Sequence, residues 1–168
     1  AMFYDLENPH PFIEDIKKVL DVNGAWVIQL SYTPLMIEQL AFDNVCHEHV
    51  YYYSLTSLKT LFEQHDLKIV DAELNDTNGG SIRVYIQHNQ ASIDSFGTAP
   101  LRDVCNFRVK ALLEYEKNHY DFNNVELWND YQKRVESLRD ELIKKHGEDD
   151  GKGGIMVKMY INEIKDEN

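Results

Sequence analysis

The sequence predicts an α/β fold: the second half of a doubly wound sheet, closed by a C-terminal antiparallel strand pair and followed by a helical appendage. Three observations predict it. Helix and strand periodicities alternate up to residue 75, a cleanly alternating strand follows an Asn-Gly-Gly turn, and beyond Gln90 the pattern changes to two long helical stripes.

The first element is a helix opening at Pro9 to Pro11. Phe12, Ile13, Ile16, Val19 and Leu20 share one face, and Asn23-Gly24 ends it. AWVIQL at 25–30 is a strand, apolar at nearly every position and therefore expected to be buried on both faces. Ser31 to Pro34 break it, and Leu35 to Leu40 form a short helix leading into CHEHVYYYS at 46–54. In the next segment Ser54 can cap a helix whose stripe is Leu55, Leu58, Leu61 and Phe62. KIVDAEL at 68–74 and SIRVYIQH at 81–88 are strands joined by NDTNGG, whose glycines tolerate positive φ, and they are expected to pair antiparallel. After a loop, Leu101 to Leu113 and Leu127 to Leu142 mark two helices. A Gly- and charge-rich linker and a short apolar run close the chain.

The expected organisation is an α/β part over 1–92, a helical part over 93–146 on the substrate side, and a linker and tail over 147–168. No internal repeat is present. The strand at 25–30 lacks an upstream partner and presents an apolar edge, so self-association along that edge, or pairing with the tail near Ile155 to Ile161, is expected.

With 17 Lys plus Arg against 29 Asp plus Glu, the net charge is −12 and no basic stripe exists to track a phosphate backbone. Nucleic acid is therefore not an expected partner. Cys46 and Cys105 have neither disulfide-framework nor zinc-knuckle spacing, and no apolar run approaches the roughly 20 residues of a membrane helix. A cytoplasmic protein without a membrane span is expected.

The chemistry concentrates in His47-Glu48-His49. A metal reading has two ligands that would point to the same side of an extended segment, but lacks a spaced third; Glu48, Cys46 and His88 are candidates. A proton-transfer reading uses a histidine as general base with a neighbouring carboxylate to fix its tautomer. A third reading leaves the histidines as satisfied polar residues at a junction.

The run from Phe42-Asp43 through His47-Glu48-His49, Tyr52-Tyr53-Ser54, Leu61-Phe62, His65 and Gly79-Gly80-Ser81 to Arg83-Val84-Tyr85 resembles the S-adenosylmethionine-dependent C-methyltransferases of nucleotide-linked sugars. Those enzymes methylate a carbon next to the keto group of a 4-keto-deoxysugar. The resemblance spans about residues 1–90 and continues more loosely to about 145. It implies a Rossmann-like class I methyltransferase sheet, with S-adenosylmethionine as cofactor and a nucleotide-linked sugar as partner. It also implies His49 as the base that removes the proton α to the ketone, Glu48 as its acidic partner and His47 as a reserve donor to the developing oxyanion. Tyr53, Asn78, Gly79, Gly80, Ser81 and Arg83 would face the substrate.

Two departures bear on this. Cys46 stands where the family usually has an aromatic residue, often tyrosine, and a thiol is only a weak hydrogen-bond donor. No glycine-rich turn follows an early strand, and AMFYDLENP resembles the segment after the fourth strand. The chain is thus expected to be the C-terminal half of such an enzyme, incomplete and inactive alone, and not to bind S-adenosylmethionine tightly. A non-catalytic sugar-nucleotide or protein binding module derived from the family is the alternative, and a metal-dependent hydrolase using His47 and His49 a third.

Overall fold

The computed structural model describes residues 2–92 and 99–146. The part of the tail expected to pair with the strand edge lies outside these residues. Within them the chain is mixed α/β, with five α-helices and a three-stranded sheet. It divides into two compact units, the first running to Asp121 and the second from Phe122.

Helix α1 spans Pro9–Val19. Asn8 caps it by accepting from the His10 N–H at 3.1 Å, Pro9 supplies a first-turn residue with no amide to satisfy, and Lys17 and Lys18 sit at the negative end of its dipole. Its core-facing residue Ile13 is fully buried. Strand β1, Trp26–Ser31, leads into helix α2, Thr33–Gln39, which ends on Leu40 in the left-handed region at φ 52°. Helix α3, Leu55–Glu63, opens with a reciprocal Ser54–Ser57 capping box and buries Leu55, Leu58 and Phe62. The stripe read from the sequence is its core face. Asp66, at φ 55°, reverses the chain into strand β2, Leu67–Asn75, and a 3-10 turn over Thr77–Gly79 delivers it to strand β3, Ser81–His88.

The sheet order is β1-β3-β2. The strands joined by the Asn-Gly-Gly turn pair antiparallel as expected, and β3 is also antiparallel to β1. Thus β1 and β2 run in the same direction with β3 between them. Ile82, Val84 and Ile86 lie opposite Leu30, Ile28 and Trp26, and this face forms one core with Ile13, Leu55, Leu58, Phe62 and the aromatic rings of Phe3 and Tyr53. Burying each such side chain contributes about 1.5–3 kcal/mol.

The expectation that β1 is buried on both faces needs correction. Val27 is 47% exposed, because among the described residues β1 is an edge strand and Val27 alternates onto the face opposite that core. Beside it a cleft of about 230 Å³ is lined by Met2, Phe3, Phe12 and Trp26 to Gln29.

Helix α4, Ala99–His119, belongs to the first unit and packs on β2 and α3. Arg108 forms a two-pronged ion pair with Asp71, just after a bulge in β2. In the second unit the Trp128 indole, in the first turn of helix α5, Val125–His146, donates to the carbonyl of Phe122 ahead of the helix at 3.1 Å. Among the described residues no helix is long and apolar enough to cross a membrane.

Candidate functional site

The carboxyl ends of β1 and β2 meet the start of β3, where Ser31 and Asn75 each lie opposite Ser81. This is the end of a sheet at which α/β proteins place their loops and ligands. The glycine turn is what lets α2 close over it. Gly80 has φ 111°, and a Cβ there would stand 2.8 Å from the Leu35 Cβ; one on Gly79 would stand 3.2 Å from the Ala41 Cβ. The Gly80 carbonyl accepts from the Tyr32 N–H at 3.3 Å, and Ser81, 2% exposed, closes the turn by donating to the Thr77 carbonyl at 2.7 Å.

Over this end runs the loop from Ala41 to Tyr53, pinned along its length. The Ser31 hydroxyl donates to Asn44 Oδ1 at 2.9 Å, and the Tyr52 hydroxyl to the Asn44 carbonyl at 3.4 Å. The Tyr4 carbonyl accepts from both the Val50 and Tyr51 N–H groups, at 3.0 and 3.1 Å. The Tyr53 carbonyl accepts from the amide and the hydroxyl of Thr33.

Within the loop, the His49 N–H donates to the Cys46 carbonyl at 3.2 Å, so residues 46–49 form a tight turn and not the extended segment in which His47 and His49 would share a side. The two histidines part company. The side chains of His47 and Glu48 are 71% and 70% exposed and lie 3.7 Å apart, an outer pair worth at most about 1 kcal/mol. The contact found for Glu48 is therefore with His47. His49 is half-buried, its ring centroid 4.2 Å from that of Tyr4 and 6.4 Å from that of Tyr52.

The two phenols beside His49 are held in their protonated form. Burial chiefly, with Asp5 and Cys46 adding to it, raises Tyr4 above the ordinary tyrosine range. Burial, then Cys46, does the same for Tyr52. Cys46 itself is a half-buried free thiol.

The residues expected to face substrate separate. Gly79, Gly80 and Ser81 form the turn at this end of the sheet, while the Asn78 side chain lies outside the described residues. Tyr53 is in the core, its ring 5.5 Å from Phe3 and 5.8 Å from Tyr51, and its hydroxyl is buried with no partner among the described residues. Burial pushes its pKa up to about 12. Arg83 is two residues along β3 and spans the sheet, donating to Gln29 Oε1 at 2.8 and 3.1 Å and to Glu73 Oε1 at 3.1 Å. No three His, Cys, Asp or Glu side chains among the described residues are arranged to hold a metal ion. Sequence reasoning did not find Tyr4, Ser31 or Asn44. Their only signal was position, at an element's start or end, and nothing in their spacing connects them to His49.

Fold and loop together define a mixed α/β protein with a histidine-bearing loop clamped over the carboxyl end of a strand pair. No family model matches the chain. It is similar to the C-methyltransferase NovU of Streptomyces niveus, 35% identical over 83 residues, a match that takes in 49% of this chain and 20% of that protein. The match thus spans about a fifth of the length of that relative.

Proposed function

We propose that this chain is the base-bearing part of an S-adenosylmethionine-dependent C-methyltransferase acting on a nucleotide-linked keto-deoxysugar in the cytoplasm. The observation that carries the reading is the placement of His49, turned inward against Tyr4 on a loop clamped over the strand ends. The similarity to NovU supports it. So does a sheet in which an antiparallel strand is inserted between two that run together, the arrangement expected at the end of a doubly wound methyltransferase sheet.

A proton on the carbon next to a ketone is removed when a neutral imidazole accepts it and the electron pair passes to the carbonyl oxygen as an enolate. His49 is that base. The Tyr52 phenol, which burial keeps protonated, has its ring centroid 6.4 Å from that of His49 and donates to the Asn44 carbonyl, so it would serve the developing oxyanion only by leaving that carbonyl. Glu48 and His47 lie on the outer side of the turn, so their effect on His49 is through the turn and the local charge.

S-adenosylmethionine would supply the methyl group. The residues described do not fit it: the Asn-Gly-Gly turn joins two strands and opens no helix, so it is not the strand-to-helix glycine turn that holds such a cofactor. The contribution of this chain is the proton transfer.

Deprotonation needs no methyl donor, which makes it testable on the chain as it stands. In D₂O, the chain exchanges the α-hydrogen of a 4-keto-6-deoxysugar nucleotide for deuterium, and His49→Asn lowers the rate by about 10²–10⁴-fold. Exchange by His49→Asn at the unmodified rate sinks the assignment of the base. Saturable sugar-nucleotide binding with no exchange by either protein would favour the binding module instead.

A further inference from the structure

We propose that Tyr4 is the positioning residue for the His49 imidazole, an inference that rests on the reading of His49 as the base. Tyr4 belongs to the opening segment of the chain, 45 residues from His49 in sequence, yet it holds both the backbone and the ring of the loop. Its carbonyl accepts from the N–H groups of Val50 and Tyr51, the two residues directly after His49. Its ring lies 4.2 Å from the imidazole, centroid to centroid, at an interplanar angle of 52°. A flat ring on one side of the imidazole and the loop backbone fixed to the same residue leave the side-chain torsions of His49 little room.

Tyr4 is itself anchored. It is 7% exposed, and its neighbour Phe3 is packed against Phe12, Trp26, Tyr53 and Phe62, with ring centroids 5.5–6.2 Å apart. Ser31, at the end of β1, donates to Asn44 in the loop. The loop is thereby held to the opening segment through Tyr4 and to the sheet end through Ser31. His47 provides the contrast within the same turn: the same residue type, 71% exposed. Placement of a base to within about 1 Å is worth on the order of 10²-fold in rate, which is the scale on which a positioning residue acts.

The test uses the whole chain with two readouts, the proton resonances of the His49 ring and the α-hydrogen exchange described above. The Tyr4 ring shields the His49 ring protons, which therefore resonate upfield of those of His47. Tyr4→Leu moves them downfield toward the His47 positions and lowers exchange by on the order of 10²-fold, and Tyr4→Phe, which keeps the ring, rescues the shift and most of the exchange. Tyr4→Met fills the same space without a ring and serves in place of Tyr4→Leu should that variant not fold.

Unchanged His49 resonances in both ringless variants overturn the proposal, as does a Tyr4→Phe protein that loses exchange as fully as Tyr4→Leu. If the unmodified chain shows no exchange, the base assignment fails on its own, while the resonances still report whether Tyr4 holds the ring.

Discussion

Replacing Glu116 by alanine will unfold the junction that holds the histidine loop, and its cost can be worked from four hydrogen bonds. Glu116 is on α4, is 1% exposed, and reaches the first turn of α3. Its carboxylate accepts from the Tyr32 hydroxyl at 2.7 Å, the Leu55 N–H at 2.6 Å, and the Thr56 N–H and hydroxyl at 2.8 and 2.5 Å. The first N–H groups of a helix have no partner within the helix, and a negative charge there also meets the positive end of the helix dipole. Ser54 satisfies the Ser57 N–H, so Glu116 and Ser54 together supply acceptors for the first three donors of α3. Burial and this carboxylate also hold the Tyr32 phenol protonated, far above the ordinary tyrosine range.

Hydrogen bonds to a charged group contribute roughly 1.5–3 kcal/mol each and do not add. Glu116→Ala leaves the Tyr32 hydroxyl and the Leu55 N–H buried without their acceptor, at about 1–3 kcal/mol each, so a loss of roughly 3–5 kcal/mol is expected. Glu116→Gln, which keeps one carbonyl acceptor but turns an amide N–H₂ toward a donor, should lose about 1–3 kcal/mol. Equilibrium urea unfolding, with an unchanged slope, measures both. Since α3 begins two residues after Tyr53, the alanine variant should also broaden the His49 resonances. A loss below about 1 kcal/mol for Glu116→Ala, the ordinary cost of a surface or lightly used residue, would refute the reasoning.

Three further outcomes are expected. Gly80→Ala places a Cβ 2.8 Å from Leu35 at φ 111°, so urea unfolding should show a loss of about 1–3 kcal/mol, and wild-type stability would show that α2 does not close on this turn. Tyr53 has a folded-state pKa raised to about 12, so its stabilising contribution is complete below about pH 10, where the phenol is neutral in both states, and is lost as pH rises through about 12. Tyr53→Phe should flatten that alkaline decline, and an unaltered profile would count against it. Finally, among the described residues β1 has no partner on its outer edge and exposes Val27, so we propose self-association there. Sedimentation should show a species larger than a monomer that Val27→Lys dissociates, whereas a monomer at all concentrations removes the idea.

Much of the fold was legible because local rules and tertiary packing agree. The α3 stripe, its Ser54 cap and the Asn-Gly-Gly connection are consequences of periodicity, capping chemistry and glycine's tolerance of positive φ. The open face of β1 was not legible in this way. An unbroken apolar run records hydrophobicity but not which neighbours exist, and among the described residues β1 is an edge strand with one open face.

The site divides along the same line. The sequence by itself determined that His47-Glu48-His49 stands between a strand-helix unit and a capped helix, and that a glycine turn enters the next strand. Only the tertiary structure decided which histidine turns inward, because the 46–49 turn breaks the two-residue alternation on which any sequence argument about side-chain direction depends. It also decided that Arg83 bridges Gln29 and Glu73, and that Tyr4 and Glu116, 45 residues before His49 and 60 after Thr56, hold the two ends of the loop's surroundings. Such contacts join residues remote in the chain, and no local pattern encodes a pairing that forms only when the sheet, the helices and the loop have closed on one another.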